Sequence, residues 1–441
     1  MENREKQIKL KRSLSLWDAV NINVGAIIGG GIFVVTGIVA GYAGSALVVS
    51  MAAAAVVALF TALSFVELTA WQPVEGAVYE YTRRLVSPFL GFLSGWMWVV
   101  ANTFGGAAVS LGFGYYLSSV IEGLPANVVA AILCLGFTAL NFVGLRQSAF
   151  LNNVLVAVKL AVLGFFVGFG ALFIKAENFA PFEPFSGGML LGMCFIFFAF
   201  GGFPRVAVMA EEVKDAKKNV PRAVLLSLLI CAVIYVLVGA VAVGLVGSPS
   251  LAASNAPLTV AMNGSGNVWA FEILAIGGAV ATASVLLAAV LGVSRMAFSM
   301  ARRKDFPEKL CQVHKRFGTP YIAIWIVGVV MSVVVLFANL TSVVTVTTFG
   351  LLFTYVCANI SALRLGKENR RYPKTVSVVG LCTSLLLLVF IFFATPTSWL
   401  SGIGFLGVGV AIYYVRAKRR ESEYRNPYNC QTTKQQKTTL I

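Results

Sequence analysis

The stretch "GAIIGGGIF", Gly25–Phe33, sits inside a segment that otherwise reads as one long apolar helix. Glycine costs about 1 kcal/mol against alanine in a helix interior. Three in a row, Gly29, Gly30 and Gly31, therefore predict that the helix breaks there. A second reading stands beside it: the glycines permit close helix–helix packing or a simple kink.

Outward from that stretch, composition sets the class. Hydrophobic residues make up 58% of the 441-residue chain and charged residues 12%, with a mean hydropathy of +0.85. That is not the balance of a soluble domain. Apolar runs long enough to cross a hydrocarbon core recur at roughly 15–41, 45–71, 88–119, 125–144, 151–174, 188–212, 222–246, 268–300, 320–338, 342–364, 375–394 and 398–416. The expected fold is an all-α integral membrane protein of about twelve transmembrane helices. The first apolar segment is too long for a cleavable signal peptide.

A net charge of +16 could point to nucleic acid, but the placement of the charges argues otherwise. Basic residues gather at the amino end, then around Arg83 and Arg84, Arg146, Lys214 to Arg222, Arg302 to Arg316, Arg364 to Lys374, and from Arg416 onward. The intervening connections hold Lys175 alone. This positive-inside alternation predicts both termini in the cytoplasm of a cell-membrane protein. Lipid headgroups, not nucleic acid, are the expected partner of the charge, and no obligate protein partner is evident. The seven cysteines show no CxxC pairing, and His314 is the only histidine. A His-based metal site or catalytic triad is excluded, and the reading calls for no cofactor and no enzyme activity. A nucleotide-binding GxxxxGK[ST] loop is also missing, which argues against primary active transport.

A second interruption lies in the sixth span, "FFAFGGFP" over residues 197–204. Gly201, Gly202 and Pro204 break an apolar helix, and proline removes a backbone donor. Five spans separate the two breaks, so the broken segments cross in opposite directions. This predicts an inverted repeat, 14–175 against 188–365, followed by two extra helices over 375–416 and a polar tail over 417–441. Paired interrupted spans at equivalent positions are the sequence pointer to a secondary transporter's central site. Unwound backbone at membrane depth must line a cavity or lie buried in protein. The amides of Gly29–Gly31, with Ile27 and Ile28 beside them, suit a carboxylate. Carbonyls freed around Phe198, Ala199, Phe200 and Gly201 suit an ammonium. Together they form a receptor for a small zwitterion such as an amino acid.

These motifs resemble those of the amino acid permeases of the amino acid–polyamine–organocation superfamily. "GAIIGGGIF" is similar to that family's first-span motif, and "FFAFGGF" with "AEEVKDAKKNVPRAV" to its sixth span and the extension beyond. "ELTAWQPVEGAVYEYTRR" resembles the loop after span two, with Pro73, Gly76, Tyr79 and Tyr81 in place. Asn141 and Gly144 fit the end of span four. "SRMAFSMARRKDFP" is similar to the end of span eight, although Arg303 and Lys304 replace a more usual Asp-Gly. The resemblance covers residues 13 to about 310; the last four spans agree only in hydropathy. It implies a leucine-transporter-like five-plus-five inverted repeat with helices 1 and 6 broken, and alternating access around the breaks.

Lys159 is the only charged residue in "NNVLVAVKLAVLGFFVGFGALF". It lies about nine residues into its helix, roughly 13 Å deep at 1.5 Å per residue. Intramembrane ionisable groups mark ion or proton pathways, or else snorkel or pair structurally. The resemblance sharpens the first reading. Sodium-coupled relatives bind a cation between spans one, five and eight, and in some proton-coupled permeases a lysine on span five takes that place. The expectation is proton coupling without a sodium site, with Lys159 near carbonyls around Gly25 and the hydroxyls of Thr282 or Ser284.

Further candidates are weaker. Glu67 serves either as a gate or as a structural hydrogen-bonding group. Arg205 contacts substrate or joins a buried pair with an acid. Glu211 and Glu212 suit a salt-bridged gate, and Phe198 and Phe200 either cap the substrate or simply pack. Ser15–Asp18 fits a capping box opening the first span. The leading function is proton-coupled amino acid symport, with amino acid exchange as the alternative and a non-transporting sensor behind it. The lack of a mid-membrane acid argues against a cationic substrate.

Overall fold

The computed structural model describes residues 14–425 apart from 75, 122, 144, 209, 211, 212 and 315. Gly144, Glu211 and Glu212, singled out above, lie outside the described residues, as does the tail after 425. The helices run in the order α1 (Leu16–Ile27), α2 (Thr36–Ala43), α3 (Leu47–Trp71), α4 (Val78–Leu85), α5 (Pro88–Ser118), α6 (Ala126–Val143), α7 (Leu145–Gly170) and α8 (Gly187–Phe200). They continue with α9 (Arg205–Val208), α10 (Ala216–Ala252), α11 (Pro257–Asn263), α12 (Val268–Arg302), α13 (Tyr321–Phe337), α14 (Leu340–Leu363), α15 (Lys374–Ala394) and α16 (Pro396–Arg425). Among the described residues ten segments are long and apolar enough to cross a membrane; Leu16–Trp71 holds two passes, and the apolar α13 adds another. The protein is a multi-pass, all-helical membrane protein. The last helix runs on to Arg425, past the expected end of the span at 416, so the start of the expected tail is helical.

Both expected interruptions are present, and each is short. The first span stops at Ile27, bends at Ile28 and Gly29, and resumes as a π-helical turn over Gly31–Val35 before α2. The sixth span stops at Phe200, turns through residues 201–204 and resumes as α9. At its start the first span carries the capping box: Ser15 Oγ accepts from the Asp18 amide at 3.2 Å, and Asp18 accepts from the Ser15 amide at 2.9 Å.

Helix neighbours repeat with an offset of five spans. Span two (α3) packs on span seven (α10), span three (α5) on span eight (α12), and span four (α6) on span nine (α13). The crossed contacts match as well. The first half of span one lies on α10 and the first half of span six on α3; α1 also touches α7 as α8 touches α14. Span three contacts span ten as span eight contacts span five. One arrangement is thus used twice, with the two broken spans in equivalent places.

The departure at the end of span eight has a structural reason. Arg303 lays Nε and Nη2 on the two Glu80 carboxylate oxygens at 2.9 and 3.0 Å, a forked pair. Asp305 accepts from Tyr79 Oη at 2.6 Å and from Arg83 Nη1 at 2.7 Å. Arg303 and Asp305 therefore clamp α4 to the end of α12. Burial, then the bond to Asp305, pushes the Tyr79 phenol upward in pKa and keeps it a neutral donor. Between the two clamps Lys304 sits at φ +62°, the left-handed region in which the more usual glycine carries no penalty. Lys304→Gly is expected to stabilise the protein by up to about 1 kcal/mol by relieving that conformation. A melting curve of the detergent-solubilised protein measures it; a lower midpoint in the variant would show that the lysine side chain contributes more than its backbone costs.

Candidate functional site

The glycines of the two breaks bring the backbones of spans one and six together. A β-carbon on Gly31 would overlap Ala199 Cα, and one on Gly202 would overlap the Ala26 carbonyl and come within 2.6 Å of Ile27 N. Gly29 and Gly30 leave the same kind of space for Val285 and Val109. Close packing and helix breaking, set side by side as alternatives above, both occur at these residues. The Val206 amide of α9 donates to Asn23 Oδ1 of α1 at 2.9 Å, and beyond the two helices the Lys214 amide donates to the Leu14 carbonyl at 2.9 Å.

A cavity of about 50 Å³ lies beside the breaks. Spans one, three, six, eight and ten wall it, and Ile27, Gly30, Gly31, Phe198, Ala199 and Gly201 are among its lining. Ile28, Gly29 and Phe200 do not line it; Phe200 is buried against the Tyr235 ring at a centroid distance of 5.0 Å. The polar side chains on the wall are Asn102, Arg205 and Thr347.

The carbonyls expected to be free are not. Phe198 O accepts from the Gly201 amide at 3.0 Å and Phe200 O from the Phe203 amide at 3.3 Å. Ala199 O takes the Tyr235 hydroxyl at 3.1 Å, and Gly201 O takes the Tyr355 hydroxyl at 3.1 Å. Tyr235 Oη also lies 2.7 Å from Ile27 O. One hydroxyl proton thus bridges the ends of both breaks, since a phenol has a single hydrogen to donate. Buried carbonyls without donors are costly, and tyrosines from spans seven and ten supply them. Neither tyrosine stood out in the sequence, although a tyrosine deep in an apolar span is far from the interface where this residue usually lies.

Lys159 is fully buried. Its Nζ donates to Gly25 O at 2.6 Å, Ile28 O at 2.7 Å and Ser284 Oγ at 2.8 Å, which uses all three ammonium hydrogens. Spans one, five and eight meet at this atom. Thr282 does not reach it; its hydroxyl bonds the Gly278 and Ala279 carbonyls of its own helix at 2.9 and 2.8 Å. Glu67 is buried away from the cavity and accepts the Arg371 and Tyr372 amides at 3.0 and 2.8 Å, so it anchors the connection before α15. Arg205 lies on the cavity wall, and no acid pairs with it among the described residues. Its Nη1 donates to Ala288 O at 3.3 Å and its Nη2 to Asn102 Oδ1 at 3.1 Å. The guanidinium also stands 5.6 Å from the Trp98 ring centre. The expected buried ion pair is replaced by neutral oxygens and an indole face.

Comparison with known proteins agrees with this architecture. The model of the amino acid permease family matches residues 14–412. A transporter of Mycobacterium bovis is 38% identical over 421 residues, 94% of each chain. The branched-chain amino acid permease BcaP of Bacillus subtilis is 30% identical, over 93% of this chain and 94% of its own. Cationic amino acid transporter 4 of Mus musculus is 31% identical over 84% of this chain and 62% of its own.

Proposed function

The chain belongs to the amino acid permease family, and on that premise we propose that it is a secondary transporter coupling amino acid movement to protons by alternating access. The observation that carries the coupling is the position of Lys159. Its ammonium occupies the oxygen cluster of Gly25, Ile28 and Ser284, where a metal cation would otherwise find its ligands. A fixed positive charge at that point repels sodium, whereas a lysine can exchange its proton as water reaches it. Because two of its acceptors are carbonyls at the break of span one, loss of the proton loosens the segment that shapes the cavity wall.

The substrate carboxylate docks at the amides of Gly30 and Gly31, which line the cavity at the amino end of the resumed half-helix. Its ammonium faces the carbonyls of Ala199 and Gly201 and shares them with the hydroxyls of Tyr235 and Tyr355, each carbonyl having two lone pairs. Rocking of spans one and six separates Ile27 O from Ala199 O, so Tyr235 can follow only one of them. The basic connections support a topology with both termini in the cytoplasm.

Proteoliposomes containing the full chain test the reading. A pH gradient, acid outside, is expected to drive concentrative amino acid uptake, and an imposed sodium gradient at constant pH is expected to drive none. Sodium-driven uptake would overturn the coupling. Counterflow without proton movement would replace symport by exchange.

A further inference from the structure

We infer that Arg205 is a specificity-determining subsite for a second carboxylate, and that the cargo is a small acidic amino acid. The inference rests on the amino acid transport reading above and deepens it. Arg205 is about nine-tenths buried at the cavity wall. Among the described residues its hydrogen-bond partners are the Ala288 carbonyl and the Asn102 amide oxygen, both neutral. Two of the five guanidinium hydrogens are used there, and no bond from Nε is present among the described residues.

Space has been kept for this group. A β-carbon on Gly292 would overlap Arg205 Nη1, so only glycine at that position in span eight lets the guanidinium lie where it does. Asn102 is itself held, its Nδ2 donating to the Trp98 carbonyl at 2.9 Å, which turns Oδ1 towards Arg205. Trp98 then covers one face. Carbonyl, amide and indole fix the plane of the fork without cancelling its charge.

Charge decides what the fork receives. No described residue on the cavity wall is acidic, and Lys159, the other buried cation among the described residues, is held by uncharged oxygens. A guanidinium out of water is costly unless a counter-charge arrives, and a carboxylate meets it with two parallel hydrogen bonds. A zwitterion alone brings no net counter-charge. A substrate with a side-chain carboxylate does, while its α-carboxylate occupies the glycine amides of span one. A cationic side chain would face Arg205 across a low dielectric and be repelled.

Uptake of labelled aspartate, glutamate, asparagine, glutamine, leucine and lysine into proteoliposomes distinguishes the outcomes. Wild type is expected to favour each acid over its amide by about tenfold or more in kcat/KM, because an amide offers the guanidinium one acceptor and no counter-charge in place of a charged fork. Lysine is expected not to enter. Arg205→Gln is expected to bring the acid-to-amide ratio towards one, and Arg205→Lys to keep part of it. Melting of the solubilised protein gives a readout independent of flux: millimolar aspartate or glutamate is expected to raise the midpoint of wild type and not of Arg205→Gln. Equal transport of acids and amides by wild type, or an unchanged ratio in a folded Arg205→Gln variant, would overturn the inference and leave amino acid transport standing. Uptake of none of the six by folded protein would overturn both.

Discussion

Lys159→Ala is expected to abolish pH-driven concentrative uptake and to destabilise the protein by about 3 kcal/mol or more. The substitution removes a fully buried ammonium and leaves Gly25 O, Ile28 O and Ser284 Oγ without their shared donor. Two of those oxygens are backbone groups at the break of span one, so the loss falls on the segment behind the cavity wall. Lys159→Met separates the two effects, since it fills the space without a charge or donor. It is expected to recover part of the packing loss in a melting experiment while uptake under a pH gradient stays at background. Wild-type coupling in a folded Lys159→Met transporter would show that Lys159 is structural and that the proton travels elsewhere.

Gly202→Ala is the other substitution with a large expected effect. Its added methyl group would meet backbone, the Ala26 carbonyl and the Ile27 amide, and not a flexible side-chain end. Backbone cannot yield by changing rotamer, so spans one and six must move apart, which costs about 1–3 kcal/mol in a packed interior. The same separation disturbs Tyr235, which bridges Ile27 O and Ala199 O, and the bond from the Val206 amide to Asn23. Transport is expected to fall by about tenfold or more, the equivalent of roughly 1.4 kcal/mol in the cycle. Gly136→Ala is the control: nothing lies within 4 Å of a β-carbon there, so uptake and melting are expected to match wild type. Gly202→Ala transporting as well as that control would mean the two half-helices are not coupled through their close approach.

Much of the fold was legible because the bilayer imposes it. Length and hydropathy fix the spans, since a chain in lipid must satisfy its backbone within each segment. The breaks were legible for the converse reason: glycine and proline at membrane depth contradict a continuous helix. Lys159 and its neighbours, carbonyls around Gly25 and a hydroxyl of Thr282 or Ser284, could also be named, because a lone charge in an apolar span needs buried oxygen partners and the family resemblance supplied the spans. Its third partner, Ile28 O, was not.

What could not be read was orientation around each helix. A span that is apolar on every side has no periodic stripe to say which residue faces which neighbour. Thr282 and Ser284 looked equivalent, yet only Ser284 turns to Lys159. Phe198 and Phe200 looked alike, yet Phe198 lines the cavity and Phe200 packs behind it. Glu67 and Arg205 are both ionisable side chains inside spans, but their neighbours are backbone amides in one case and neutral oxygens in the other.

By itself, then, the sequence determined a membrane chain of broken and unbroken helices with one buried cation in its fifth span. Those properties depend on composition and position along the chain, which lipid and helix geometry convert directly into structure. Tertiary packing alone decided that Tyr235 and Tyr355 take up the carbonyls of the second break, and that Arg205 reaches the cavity without an acid. These contacts join residues 36, 154 and 103 positions apart. Side chains so distant in sequence meet only when whole helices have settled against one another, at angles and rotations that no single span encodes.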